Sequence, residues 1–167
     1  MQRWPALALV GLLLGACVPV AATTAAPMSD EREADAVLDV VYRALLVVAE
    51  PGGKETVCLV VRRTVDGKEQ MGDPSAEHLA RLQKENPNVR PGSACEGGGG
   101  PPVASATPGG PEPLVVDIGP VEWTGKDSAK TAGGFSRGGY TTTEFRYELA
   151  RSASGWTITK TSRGPVI

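Results

Sequence analysis

The chain predicts an α+β fold, an antiparallel meander sheet with one long amino-terminal helix packed on it and a short second helix. Two periodicities carry that reading. Ala34, Val37, Leu38, Val41, Leu45 and Val48 recur at the i, i+3, i+4 spacing of a buried helix face, widened by Val40, Ala44 and Val47. Thr141, Thr143, Phe145, Tyr147 and Leu149 alternate with Thr142, Glu144, Arg146 and Glu148, the period of a strand with one face in the core and one in water.

The elements follow in order. Asp30 can cap the long helix, with Glu33 three residues on, and Pro51-Gly52-Gly53 ends it. Thr56–Val65 is β-branched and apolar on both faces over Val57–Val61, as in an internal strand, and Cys58 points away from Val57, Leu59 and Val61. Asp73-Pro74 opens a second helix through about Lys84, with Ala76, Leu79 and Leu82 inward, and Asn86-Pro87 closes it. Pro91–Pro113 holds 7 Gly and 6 Pro in 23 residues, too little apolar surface to offset ordering, so 96–113 is expected to be a mobile loop. Strands then follow over Leu114–Thr124, bent or bulged at Gly119-Pro120, over Ser128–Arg137, over the alternating segment, and through Trp156 and Ile158 after the Ser152–Gly155 turn. No internal repeat is visible.

The first residues carry an address rather than an activity. Arg3 precedes a short apolar run, Ala6–Leu14, about half the ~20 residues that span a bilayer, and Leu14-Gly15-Ala16-Cys17 closes it with small residues before a cysteine. This leader resembles the signal peptide and lipobox of bacterial lipoproteins. The resemblance implies a signal over 1–16, a diacylglycerol on the Cys17 thiol as mature N-terminus, and stable anchoring by two or three acyl chains. Conventional secretion with cleavage after Val20-Ala21-Ala22, or a coincidental cysteine, are the alternatives. Residues 17–28 read as a flexible tether, and 29–167 as a single domain. Val18 is not aspartate, so in a two-membrane bacterium the resemblance implies the periplasmic face of the outer membrane, and otherwise the extracellular face.

Without 1–16 the chain has 16 basic and 19 acidic residues, a net charge of −3 that offers no basic face for nucleic acid. About 140 residues after the tether suffice for one modest core. With Cys17 set aside, Cys58 and Cys95 remain, 37 residues apart, and an extracytoplasmic compartment permits a disulfide worth ~4 kcal/mol by loop-closure entropy. A metal pair is the weaker reading, because the chain has one histidine and no zinc spacing.

Catalysis needs a nucleophile, a base and a stabiliser held together, and the candidates are few. His78, beside Glu77 on a short helix, reads as an exposed surface histidine rather than a base. Glu144 and Glu148 flank Arg146 on one strand face, about 7 Å per two-residue step, and read as a solvated charge ladder rather than paired acids. Gly97–Gly100 lacks the following Lys-Ser/Thr of a phosphate loop. Trp123, Phe135, Tyr140, Tyr147 and Trp156, with Tyr42, either line an apolar pocket or fill the core. No catalytic residue, metal site or cofactor is assigned.

The order of one long helix, a strand, a short helix and a meander ending in Tyr147-Glu148-Leu149…Gly155-Trp156-Thr157-Ile158 resembles the cystatin-like cone of the nuclear-transport-factor-2-like superfamily over residues 30–162. Enzymes of that superfamily place Asp/His-type groups inside the cone. The functional expectation is a membrane-anchored cell-envelope lipoprotein, a non-enzymatic module that binds envelope proteins or a small apolar ligand. The alternative is a cone-fold enzyme acting on a small apolar substrate, in which Asp117 or Glu122 would be buried in a pocket.

Overall fold

The structure, a computed structural model, describes residues 27–95, 112–137 and 143–164. The leader, Cys17, the tether as far as residue 26, the loop over 96–111 and Tyr140 lie outside the described residues. The architecture is α+β: two helices and an eight-stranded, mixed but mostly antiparallel open sheet. Helix α1 (Pro27–Ala49) is followed by β1 (Val57–Val65), β2 (Lys68–Gly72), helix α2 (Ala76–Glu85), β3 (Val89–Pro91) and one 3₁₀ turn (Gly92–Ala94). Strands β4 (Leu114–Ile118), β5 (Glu122–Gly125), β6 (Ser128–Arg137), β7 (Thr143–Ser152) and β8 (Gly155–Arg163) complete the sheet.

The strand order is β2-β1-β4-β6-β7-β8, with β3 beside β1 and β5 beside β6. The meander β4-β6-β7-β8 is antiparallel throughout. The amino-terminal part departs from a meander, because β1 pairs in parallel with both β3 and β4 and is therefore internal. Its apolar run on both faces is the composition such a position requires. Two strands were not expected. Strand β2 is exposed along its length and so carries no alternation, but Asp66 (φ 51) and Gly67 (φ 72) form the left-handed pair of a two-residue hairpin. Strand β3 is three residues long, below the length at which a pattern can be read.

Helix α1 lies across one face of the sheet and buries Val37, Leu38, Val41, Tyr42, Leu45 and Ala49 against Val57, Leu59, Val61, Leu114, Val116, Ile118, Tyr147 and Leu149. It begins at Pro27, three residues ahead of the expected cap at Asp30. Its carboxy-terminal turn also differs from expectation: Val47 and Val48 are 76% and 53% exposed, because the stripe continues from Leu45 to Ala49. The helix crosses β6 at Gly133, where an added Cβ would stand 3.0 Å from Leu45 Cδ1 and 3.3 Å from Val41 Cγ1. On β7 Thr143, Tyr147 and Leu149 are buried, while Glu144, Arg146 and Glu148 face the opposite side, as the alternation predicts.

A disulfide joins Cys58 to Cys95 with Cα atoms 6.2 Å apart, and both residues are buried. Cys58 faces away from the helix-side core, so the bridge ties the segment after β3 to the helix-free face of β1. At the other end of α1 the strand β6 grips the helix terminus. Arg137 donates to the Ala49 carbonyl at 2.8 Å and to both Glu55 carboxylate oxygens at 2.7 and 3.1 Å. A cation thereby meets the carbonyl end of the helix, where its dipole favours positive charge.

Two outcomes follow. Gly133→Val forces side chains into the helix–sheet contact and is expected to cost about 1–3 kcal/mol in urea unfolding; an unchanged midpoint would mean that α1 does not rest on β6. The Arg137 guanidinium holds the Glu55 carboxyl below the usual carboxylate range, opposed by burial and assisted by the Gly52 amide. Because the folded-state pKa is lowered, this stabilisation is complete above the ordinary value of 4.5 and is lost as pH falls through the folded value. Arg137→Ala should therefore make stability less steeply dependent on pH below 4.5 than in the unaltered protein.

Candidate functional site: an apolar cleft at the amino-terminal end of the long helix

The break between β4 and β5 opens the surface. Pro120 has no N–H for the ladder, so the chain leaves the sheet after Ile118 and rejoins it at Glu122, with Gly119 N donating to the Ala132 carbonyl at 2.6 Å and Thr131 Oγ1 to the Gly119 carbonyl at 3.0 Å. Between this bend, the end of β1 and the first turns of α1 lies a cleft of about 360 Å³. Its walls are Ala34 and Leu38 of α1, Val61 of β1, Pro120 and Val121 of the bend, and Trp123 of β5. Charged groups, Glu31 and Asp35 on the helix side and Arg62 and Arg63 on the strand side, stand around it.

Among the described residues Trp123 is the only large aromatic at this cleft, and it is 43% exposed. Its inner edge packs on Trp156, the ring centroids 5.7 Å apart. Trp156 is buried and donates through Nε1 to Glu33 Oε2 at 3.0 Å, which ties β8 to α1. The other candidate lining residues go elsewhere. Tyr42 and Tyr147 are buried in the core, where burial pushes each phenol up to about 12. Phe135 stacks on Phe145 at 6.4 Å at the edge of the core. The five aromatics therefore do not converge on one pocket.

The helix-free face holds a second, polar groove of about 560 Å³. Part of its lining is an ion-paired ladder: Glu148 lies 3.1 Å from Lys160 and 3.9 Å from Lys130, which holds its carboxyl below the ordinary range, whereas Glu122, Glu144 and Arg146 line the groove with no ion pair among the described residues. Arg62 bridges Glu69 at 2.9 Å and Asp117 at 3.3 Å. Burial pushes the Asp117 carboxyl above its usual range, with Arg62 pulling the other way. Asp117 lines neither cavity, and Glu122 is exposed.

The titratable cluster that the sequence hid is at the α1–α2 contact. His78, read as a surface residue, is fully buried. Its Nε2 stands 2.6 Å from Asp39 Oδ1 and its Nδ1 3.4 Å from Asp35 Oδ1, neither contact having hydrogen-bond geometry. Arg81 approaches the same carboxylates at 3.8 and 3.4 Å. Ser75, which replaces Asp73 as the helix cap, accepts from the His78 amide at 3.1 Å and donates to Asp35 Oδ2 at 2.9 Å. Asp73 instead accepts from the Ser93 amide and hydroxyl. The one available signal was helical spacing: Asp35 and Asp39 lie four apart on α1, and His78 lies four from Leu82 on α2.

This cluster has the residue types of a catalytic centre and the geometry of a fastening. The Ser75 hydroxyl serves a carboxylate rather than the imidazole, so there is no nucleophile–base pair. Both ring nitrogens face carboxylates, and among the described residues that line the clefts near α1 Asp35 is present but His78 is not. Among the described residues no three His, Cys, Asp or Glu side chains converge on a metal position. Comparisons with protein-family models, curated proteins and solved structures find no match for the chain.

His78→Ala leaves two largely buried carboxylates with only Arg81 and the Ser75 hydroxyl, and the loss of a partner from buried charges costs about 3–5 kcal/mol. Urea unfolding measures it. A cost below about 1 kcal/mol would show that Leu82 and the backbone hold α2 without the charges.

Proposed function

We propose that this protein is a membrane-anchored cell-envelope lipoprotein whose domain is a non-enzymatic binding module, with the Trp123 cleft as its binding site. The observation that carries the reading is the half-exposed indole set over an apolar-walled cleft at the end of the molecule where the tether joins α1. A cleft of this size is at the small end of ligand sites, and its walls offer apolar contact rather than a paired acid and base. The buried imidazole and its carboxylates contribute to attachment of α2, and Glu148 of the polar groove is held by Lys160 and Lys130, which supports binding over catalysis. The anchor rests on Leu14-Gly15-Ala16-Cys17; among the described residues no helix is long and apolar enough to cross a membrane.

The test has two readouts. Cys17→Ser is expected to abolish incorporation of a fatty-acid analogue and to release the protein from the membrane fraction; unchanged labelling and association sink the anchor. The released protein should enhance the emission of an anilinonaphthalene sulfonate dye, and Trp123→Ala should remove most of that enhancement. Equal enhancement by the variant would place the binding surface elsewhere.

A further inference from the structure

We infer that the partner of the Trp123 cleft is the surface of the bilayer that holds the anchor, so that the domain rests on the membrane by this edge. The inference deepens the anchored-module reading and rests on it.

Three observations place the edge there. First, the cleft is built on the amino-terminal turns of α1, through Glu31, Ala34 and Leu38, and only nine residues, 18–26, separate Cys17 from the start of that helix at Pro27. The ten residue steps from Cys17 to Pro27 reach at most about 35 Å when fully extended, roughly the width of a small domain, so the end of α1 is the part of the molecule that the anchor holds closest. Second, the side chains around this end suit an interface between hydrocarbon and water. Trp123 is 43% exposed and Val65 41% exposed; both are on the helix side of the sheet, with Val121 and Pro120 between Trp123 and the end of β1. A tryptophan with an apolar body and an N–H suits the headgroup boundary of a bilayer.

Third, the same rim carries, beside the acids Glu31 and Asp35, a cation with spare donors for phosphate. Arg63 lines the cleft and donates to the Asp73 carbonyl at 2.9 Å, and among the described residues it has no carboxylate partner. Its long apolar stem can lie along the surface while the guanidinium reaches a lipid headgroup. The arrangement explains why the cleft is open and shallow rather than closed over a ligand: the bilayer supplies the missing wall.

The two tryptophans that follow Cys17, Trp123 and Trp156, provide the probe. Full-length protein made in a lipoprotein-processing bacterium is reconstituted into phosphatidylcholine vesicles in which a fraction of the lipid carries a doxyl quencher high on the acyl chain. The expected result is loss of a large part of the tryptophan emission relative to unlabelled vesicles, with that loss abolished in Trp123→Phe and retained in Trp156→Phe. Arg63→Ala should reduce the quenching without changing the amount of protein that floats with the vesicles. Flotation without quenching, or quenching that survives Trp123→Phe, overturns this orientation while leaving the anchor standing. Protein that fails to float at all overturns the anchored reading, and this inference with it. Quenching equal to that by the same doxyl lipid below its aggregation concentration would assign the cleft to a single free lipid and overturn the docked edge.

Discussion

Helix α1 meets the sheet at Gly133, and the geometry of the molecule is built outward from that contact. Leu45 and Val41 need the space that any other residue on β6 would occupy, so the helix axis comes close to the strand and its stripe reaches β1, β4, β7 and β8 at once. Each end is then secured by a polar device: Arg137 on the carbonyls at one end, Glu33 with Trp156 towards the other. These contacts position the helix along its length, while burial of the apolar stripe drives its docking.

Helix α2 is attached on a different principle. It buries only His78 and Leu82, and its remaining links to α1 are charged: Arg81 to Asp35 and Asp39, and Arg43 to Glu85 at 2.8 Å. Part-exposed ion pairs of this kind contribute little to net stability, but the buried ring between the two carboxylates tolerates only one placement. The helix is thereby held in register over α1, and the segment that follows it is carried to β3 and to the disulfide on the far face.

The cleft is a consequence of a break in a ladder. Pro120 ends β4 before the sheet edge, β5 resumes out of line, and Trp123 is left tilted against Trp156 and 43% exposed. The helix does not cover it, because the apolar stripe of α1 starts one turn further on at Val37 and Leu38. An exposed tryptophan in a domain with two phenylalanines and three tyrosines is a large share of its aromatic surface left outside the core.

Local periodicity sufficed for α1, for the internal character of β1, for the face assignment of β7 and for the bend at Gly119-Pro120, because each is imposed within a few residues by helical spacing, β-branched composition, alternation or a missing N–H. The pairing of Cys58 with Cys95 was legible by count, because two cysteines remain once Cys17 is set aside. His78 was not legible, because its burial depends on Asp35 and Asp39, some forty residues earlier and on another helix; its own neighbours are the exposed Glu77 and the half-buried Leu79. Strand β2 and the parallel pairing of β1 with β3 and β4 are set by which edges the chain brings together, not by the side chains of those strands. The same holds for the site: Trp123 alternates like a core residue, and only the placement of α1 on β6 decides that it remains uncovered.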